Sequence, residues 1–406
     1  MEQTPRHRSN GQAIRTARRE RGWTQRQLAD MCGYSQSTVS RLERGRQSAK
    51  DMDVLSMVAD RLGISPTLLG LAGNGPYGHR ADTTRPMNRR QLLGTAASLG
   101  LPPSGDSSRR RPLNPAVVAH LRSLRATLVQ SDSLYGPHCV IGAVRDHLAV
   151  IEEQVLPSAS GRLRAGVLRT ASEWAEFAGW LHEDLGQPEV GLWWSDRAME
   201  WAQEADDPAL QAFVLMRKAQ QSVGLNQRQR AIGLASAALR VRGDVPERVR
   251  ASAHIQRAHG HALAGDSTEA AHAIATAHEL AAGTRATRAD QLGGFCVPAY
   301  VEAQRAACQL LLGHPAEAVA SYQRALDHWP GSYQRERGLH LARLATAHAA
   351  DRSPDAACAT AVEALEIMRE TDSRRTTAEL RRVVTALTPW RTTGAVRGLV
   401  EAVAAI

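Results

Sequence analysis

Apolar and small residues recur at helical spacing along most of the chain. Residues 10–72 form short amphipathic segments, each opened by a polar residue and closed by Gly. Residues 113–406 repeat Ala, Leu, Arg and Glu at a helical period and contain no alternating run long enough for a strand. Between them, residues 73–112 are rich in Gly, Pro, Ser and Arg, which predicts a linker with one short helix at 88–99. We therefore predict an all-α protein with an N-terminal domain over 1–72 and a C-terminal domain over 113–406.

The C-terminal domain is built from repeats. Turn glycines stand at Gly186, Gly224, Gly265 and Gly313, and small residues in the helices that follow stand at Ala198, Ala238, Ala277, Ala325 and Ala364. The alanine spacings are 40, 39, 48 and 39, so the third repeat carries an insertion, which we place in the loop around 283–294. A lone helical hairpin cannot bury its apolar face, and the repeats therefore predict a stacked solenoid.

One repeat resembles a tetratricopeptide repeat. Its small, turn, small, aromatic, small and proline positions are occupied by Ala306, Gly313, Ala318, Tyr322, Ala325 and Pro330. The other copies are degenerate, and Arg217 occupies a small-residue position in the second one. The fold class we expect is a tetratricopeptide-like helical-hairpin solenoid that is irregular near Arg217.

Positive charge is concentrated at the N-terminal end of the chain. The formal net charge is +9, and residues 1–72 hold 12 basic against 7 acidic side chains. Residues 73–112 hold 7 against 2, whereas the remaining chain holds 31 against 32. The basic end is therefore expected to meet an anionic partner such as double-stranded DNA.

Residues 24–44 contain the sequence motif that is most informative about function. Thr24 and Gln27 form a capping box that starts a helix, Gly33 suits a tight turn and Ser35 caps the next helix. The inner face of that next helix contains Val39 and Leu42. Its outward face consists of Gln36, Ser37, Ser40, Arg41 and Arg44. Such a short helix has the donors and acceptors needed to contact base edges in a major groove.

The wider segment resembles the phage-repressor (Xre/Cro) helix-turn-helix family. The resemblance rests on the runs 20–25, 40–45 and 62–65, and it implies a five-helix domain that docks on DNA as a homodimer. It also implies base contacts from Gln36, Ser37 and Arg41, phosphate contacts from Gln25, Ser40, Arg44, Arg46 and Lys50, and an internal ion pair between Arg18 and Glu43. Trp23 departs from the family pattern, where a smaller aliphatic residue is usual, and we expect it to fill the core between the first two helices.

Five of the eight tryptophans lie in the first repeat, in a chain with only three Phe. The five are Trp174, Trp180, Trp193, Trp194 and Trp201. Tryptophans at helical spacing usually pack between hairpins, and the alternative is an aromatic wall of a ligand groove. The side chains expected to face such an effector groove are Glu173, Glu176, Trp180, Lys218, Gln221 and His259.

The order of domains favours a regulator. The segment 179–207 and its position after a repressor-like domain resemble actinobacterial multi-domain regulators, and the arrangement is similar to that of peptide-sensing quorum regulators. We therefore expect a transcription regulator, a repressor, whose repeats dimerise and sense a peptide or small-molecule effector. The alternative is an interaction module that binds a toxin, sigma factor or kinase while the DNA-binding domain localises the complex.

Other classes of function lack their signatures. The chain has no dinucleotide-binding, P-loop, zincin or nucleophile-elbow motif, so we expect no enzyme activity and no cofactor. The histidines at 254, 259 and 261 straddle a helix without further ligands, so no metal is expected. Five scattered cysteines are expected to be buried thiols, and the twin-arginine-like run at 88–99 follows a whole domain. We expect a cytoplasmic, nucleoid-associated protein without a membrane segment.

Overall fold

The computed structural model describes residues 14–19, 21–32, 36–43, 113–283, 292–331 and 333–406. The chain divides into two compact units, Met1–Arg85 and Pro86–Ile406. Every regular element among the described residues is helical, which confirms the predicted all-α class. The predicted linker helix at 88–99 lies outside the described residues, and the predicted domain ends at 72 and 113 stay predictions.

The N-terminal unit shows three short helices in its described part. They are α1 (residues 14–19), α2 (Gln25–Cys32) and α3 (Gln36–Glu43). The backbone N–H of Thr24 donates to Gln27 Oε1 at 2.8 Å, and the N–H of Gln27 donates to Thr24 Oγ1 at 3.2 Å. The two bonds satisfy donors that the start of a helix otherwise leaves unpaired. The predicted capping box is therefore confirmed.

A small apolar core joins these three helices. Ile14 of α1, Leu28 and Ala29 of α2 and Val39 of α3 are all buried. Gly33, Ser35 and the last two helices of the predicted five-helix domain lie outside the described residues.

The C-terminal unit begins with α4 (Ala116–Tyr135) and α5 (Pro137–Val150), which continues into a π-helical turn at Ile151–Val155. The helices that follow are α6 (Gly161–Asp184), α7 (Pro188–Glu204), α8 (Pro208–Gly224), α9 (Arg228–Arg240), α10 (Glu247–Leu263), α11 (Ser267–Gly283), α12 (Pro298–Leu311), α13 (Pro315–Asp327), α14 (Gln334–Ala350), α15 (Pro354–Thr371), α16 (Arg374–Ala386) and α17 (Gly394–Ala404). From α6 to α15 they pack as five consecutive hairpins. The predicted solenoid of helical hairpins is therefore confirmed.

A left-handed backbone conformation recurs at the hairpin turns. Gly186, Gly265 and Gly313 have φ of 74°, 80° and 83°, as expected for turn glycines. The fourth prediction is wrong, because Gly224 is the last residue of α8 and Asn226 takes the left-handed position with φ of 56°. Asn adopts this conformation more readily than most other residues, since its short amide can bond locally.

Small side chains allow the paired helices to approach closely. The five alanines that defined the repeat are buried, and they are Ala198, Ala238, Ala277, Ala325 and Ala364. In the fourth hairpin Tyr322 is fully buried among Ala306, Ala318 and Ala325. These contacts explain the recurring pattern, and the tetratricopeptide identity of the repeats stays a prediction. Residues 284–291 of the predicted loop insertion lie outside the described residues.

The clustered tryptophans divide between two roles. Trp174, Trp194 and Trp201 are buried in the apolar core around α6 and α7, which confirms the packing interpretation for them. Trp174 also donates its indole N–H to the carbonyl of Leu121 at 3.2 Å. Trp193 is 44% exposed, and Trp180 is only half-buried. Trp180 and Trp193 are therefore the two of the five that burial in this core does not explain.

Three cysteines of the C-terminal unit behave as small buried hydrophobic residues. Cys296, Cys308 and Cys358 are buried, as predicted, and burial raises the pKa of the Cys296 thiol to about 11. Cys139 is exposed, which corrects the prediction for that residue. The Cys32 side chain lies outside the described residues. None of the described helices combines the length and the apolar character that crossing a membrane requires.

The two ends of the C-terminal unit contact each other. Helix α4 packs against α14 and α15, and α6 contacts α16. At this junction Gly136 has φ of 81°, and a Cβ atom there would lie 1.8 Å from the carbonyl oxygen of Thr371. Only Gly permits this approach. The two ends of the hairpin array are therefore in contact, and helices from both ends of the unit lie around its interior.

Candidate functional site

An ion pair fixes α3 against the start of the N-terminal unit. Arg18 Nε lies 2.5 Å from Glu43 Oε1, and Arg18 Nη2 lies 3.1 Å from Glu43 Oε2. Arg18 also donates to the carbonyl of Trp23 at 2.5 Å. Burial would raise the pKa of the Glu43 carboxyl, but hydrogen bonds from Arg18 and Gln25 outweigh it and the pKa is lowered. The predicted internal ion pair is confirmed, and it sets the orientation of α3.

Gln25 contributes to the same anchor. Its Nε2 donates to Glu43 Oε2 at 2.8 Å, so its side chain is bonded within the domain. This links the first residue of α2 to the last residue of α3 and holds the two helices of the motif together. The phosphate contact that the family resemblance implies for Gln25 stays a prediction.

The N-terminal turn of α3 presents polar side chains to solvent. Gln36 and Ser37 are exposed, Ser40 is half-buried and Val39 is buried. The predicted outward and inward faces of α3 are therefore correct at these positions. Arg41 lies on α3 with its side chain outside the described residues. Arg44, Arg46 and Lys50 also lie outside them, so their predicted DNA contacts stay predictions.

Trp23 does not fill the core in the way the sequence suggests. Its side chain is half-buried, and the guanidinium carbon of Arg21 lies 5.8 Å from the centre of its ring. The prediction of a buried plug between α1 and α2 is therefore wrong. An indole at the edge of the domain packs one face and leaves the other to a surface cation.

The interior of the hairpin array contains a cavity of about 270 Å³. Its walls come from α4, α6, α8, the segment 292–297, α12 and the segment 329–336. Seven aromatic side chains line it: Phe177, Trp180, Phe213, Phe295, Tyr300, Trp329 and Tyr333. These include all three Phe of the chain. A concave, aromatic-lined space with a few polar groups is the usual form of a small-molecule site.

Trp180 lies between two cations at one wall of the cavity. The guanidinium carbons of Arg217 and Arg375 are each 4.4 Å from the centre of its ring. Arg217 Nε also donates to Glu176 Oε1 at 2.5 Å. The large side chain at a small-residue position of the second hairpin is thus explained, because Arg217 spans to α6 and stacks on the indole. The prediction that Glu176 and Trp180 face a common interior surface is correct.

Glu173 lies on the same wall with weaker partners. Its carboxylate is 3.8 Å from Arg125 Nε and 4.0 Å from Arg122 Nε. Both distances exceed that of a hydrogen bond. Burial raises the pKa of the Glu173 carboxyl, and the two arginines oppose this rise only in part. Glu173, whose side chain is 15% exposed, is therefore an acid whose charge is incompletely compensated.

A buried arginine closes the array beside the cavity. Arg335 of α14 donates to Asp132 of α4 at 2.6 Å and to Asp184 of α6 at 3.0 Å. Ser373 Oγ, just before α16, donates to Asp184 at 2.8 Å. We call Asp132, Asp184, Arg335 and Ser373 the clasp. The clasp joins both ends of the C-terminal unit, and the sequence did not reveal it because its bonded pairs are up to 203 residues apart.

The clasp makes the stability of the C-terminal unit depend on pH. Burial raises the pKa of Asp132 from 3.8 to about 7, because one arginine cannot neutralise two buried carboxylates. A folded-state pKa above the unfolded one means that the stabilisation is present at low pH and lost as the pH rises through about 7. We expect Asp132→Asn to remove this loss of stability between about pH 5 and about pH 8. Urea unfolding at about pH 5 and about pH 8 measures it. Parallel profiles of the two proteins would contradict this assignment.

Three of the six residues predicted for an effector groove lie elsewhere. Lys218 Nζ pairs with Asp196 at 2.5 Å, and Gln221 Nε2 donates to Ser195 Oγ at 2.9 Å. His259 is buried and bonds Gln304 at 2.9 Å, and burial lowers its pKa to about 4. The expectation that these three face the interior with Trp180 is wrong, because each is used in packing one helix on the next.

The comparison with known families bears on the N-terminal unit. Residues 14–69 match the family model described as "Helix-turn-helix", and this span contains α1, α2 and α3. No curated protein matches the chain. The N-terminal unit is therefore an Xre-like helix-turn-helix domain, a DNA-binding domain of a transcription regulator, and the C-terminal hairpin array is outside the match.

Proposed function

We propose that the protein is a sequence-specific transcription regulator that binds operator DNA through α3 as a homodimer and senses an effector in its C-terminal unit. The observation that carries the proposal is the fixed geometry of α3. Glu43 ties its end to α1 and α2, while Gln36 and Ser37 at its start are exposed. A rigidly held helix with a polar N-terminal end is the part of such domains that enters the major groove.

The basic charge supports the same target. Arginines around α3 contact phosphates with little dependence on base sequence, and they release counterions when DNA binds. A short helix contacts only a few base pairs, so specificity requires two copies on a pseudo-palindrome. We propose that the hairpin array supplies the dimer contact. Because we propose a DNA target, we also propose a cytoplasmic location at the nucleoid and no catalytic role.

The aromatic cavity supports effector sensing over the alternative of a protein-interaction module. A module that holds a toxin, sigma factor or kinase needs a broad apolar face, whereas the seven aromatic side chains here line one concave pocket of about 270 Å³. A ligand shifts operator affinity only if it binds the two dimer states differently, typically by about 1–3 kcal/mol. Whether the regulator represses its targets is tested by transcript levels in a deletion strain.

Genome-wide DNA binding by the tagged full chain, with and without culture extract, tests the proposal. Enriched sites that share a pseudo-palindrome support operator binding. Enrichment without a shared sequence would contradict sequence-specific regulation. A change of occupancy with extract supports sensing.

Substitutions around α3 should separate base contacts from phosphate contacts. Arg41→Ala should cost roughly 1–3 kcal/mol of specific binding and relax the preference at one base position. Arg46→Ala or Lys50→Ala should weaken binding to all sequences alike and reduce the salt slope by about one. Fluorescence anisotropy with operator and scrambled duplexes over a salt series measures both effects. Equal loss on both duplexes for Arg41→Ala would contradict its base-contact role.

A further inference from the structure

We propose that the aromatic cavity binds a small organic cation with an aromatic or cyclic apolar body, anchored by the carboxylate of Glu173. The inference deepens the proposed sensing function and rests on it for its regulatory meaning. The binding itself depends only on the C-terminal unit and is measured without DNA.

The walls of the cavity favour an apolar ring. Phe177, Phe213 and Phe295 are the only phenylalanines of the chain, and α6, α8 and the segment 292–297 each bring one of them to this space. Tyr300 of α12 and Trp329, which lies between α13 and α14, add two more rings. A volume of about 270 Å³ accepts a small ligand of one or two rings. Ring-lined pockets of this kind bury most of the surface of their ligand.

The charges in the walls favour a cation. Four carboxylates and three guanidinium groups line the cavity, which gives a formal excess of one negative charge when every carboxylate is ionised. Asp132, whose pKa burial raises to about 7, carries only part of its charge at neutral pH. Arg335 is held by Asp132 and the neighbouring Glu336, and Arg217 is held by Glu176 at 2.5 Å. Two of the three guanidinium groups of the lining, those of Arg217 and Arg335, are therefore already paired with carboxylates.

Glu173 remains as the anchor. Its partners Arg125 and Arg122 lie at 3.8 and 4.0 Å, and the side chain of Arg122 is 49% exposed, at the edge of the array. An ammonium group inside the cavity can approach this carboxylate to hydrogen-bond distance while aromatic faces surround the remainder of the ligand. Trp180 is not free for this purpose, because Arg217 and Arg375 already cover its ring. It positions Arg217 instead.

An anionic ligand would bind the cavity through a cationic side chain instead of through Glu173. An anion would be held by Arg125, and Glu173 would then repel it. Substitutions at these two positions therefore have opposite effects for the two kinds of ligand. Glu173→Gln should weaken a cation and strengthen an anion, whereas Arg125→Met should do the reverse.

The test uses three probes that share an indole ring and differ in charge: tryptamine, tryptophol and indole-3-acetate. Calorimetric titration of the full chain should show tryptamine binding at least about tenfold more tightly than the other two. Glu173→Gln should remove this preference, and Arg125→Met should leave it intact or increase it. Glu153→Gln, which removes the same charge from an exposed position, is the matched control and should change nothing.

Three results would overturn the proposal: no binding of any probe at millimolar concentration, equal or tighter binding of indole-3-acetate, or an unchanged preference in folded Glu173→Gln. If Glu173→Gln does not fold, weaker tryptamine binding by Arg125→Met would overturn it. Operator affinity is measured separately. If tryptamine binds without altering operator affinity, the binding site is supported and its sensing role is overturned. If no probe binds while operator binding is normal, the ligand proposal fails and the DNA-binding proposal still holds.

Discussion

Arg335→Met is expected to cost the C-terminal unit roughly 3–5 kcal/mol of folding free energy, measured by urea unfolding near neutral pH. The side chain is 4% exposed and lies between Asp132 and Asp184, which are themselves buried. Removing the cation leaves two carboxylates in the interior without compensation. Methionine keeps most of the volume, so the loss reports charge rather than a cavity.

The matched control is Arg337→Met on the same helix. Arg337 lies 3.8 Å from Glu363, and both side chains are partly exposed. Exposed pairs of this kind contribute about 0–1 kcal/mol. The loss of folding free energy in Arg335→Met should also become smaller toward about pH 5, because Asp132 then takes up a proton. Equal destabilisation by the two variants would show that the clasp is no stronger than a surface contact.

The clasp could not be predicted from the sequence, whereas local features of the fold could. Local patterns were sufficient for the capping box at Thr24 and for the buried alanines, because these contacts join residues a few positions apart or at a fixed repeat distance. Asp132 and Arg335 are 203 residues apart, and an arginine in this Arg-rich chain carries no local sign of a buried partner. The cavity was missed in the same way, because its walls come from both ends of the array.

A local signal was nevertheless available for the turns. In four turns the left-handed residue stands two positions before a proline that begins the next helix. The four pairs are Gly186 with Pro188, Asp206 with Pro208, Gly313 with Pro315 and Arg352 with Pro354. Proline is favoured at this first helical position because its N–H is not needed there. The spacing, rather than glycine alone, identifies these four turns, including those at Asp206 and Arg352 that glycine counting overlooked.

The fate of three predicted effector residues has a physical explanation. Lys218, Gln221 and His259 occupy helix positions that the repeat period assigns to an interior surface. Each instead bonds a polar group on another helix. For the buried Gln221 and His259 this bond supplies a partner to a side-chain nitrogen that would otherwise be unpaired. Periodicity gives the direction of a side chain from its own helix, but the neighbouring helix decides whether that direction leads to a cavity or to a contact.

A fragment containing only Met1–Arg85 should bind the operator far more weakly than the full chain, by about 10²–10⁴-fold. This unit is compact by itself and carries the helix-turn-helix domain, so its base contacts are expected to persist. What it lacks is the hairpin array, to which we assign dimerisation. Two linked half-site contacts gain from effective concentration, and a monomeric fragment loses that gain.

Fusion of the same fragment to a dimeric coiled coil separates lost dimerisation from lost folding. The fusion should recover most of the operator affinity in anisotropy titrations, provided its linker spans the two half-sites. Circular dichroism of the unfused fragment shows whether its helices form. A folded fragment that binds as tightly as the full chain would place dimerisation in the N-terminal unit. The hairpin array would then act on DNA binding only through the ligand in its cavity, and Glu173→Gln would become the variant that isolates its contribution.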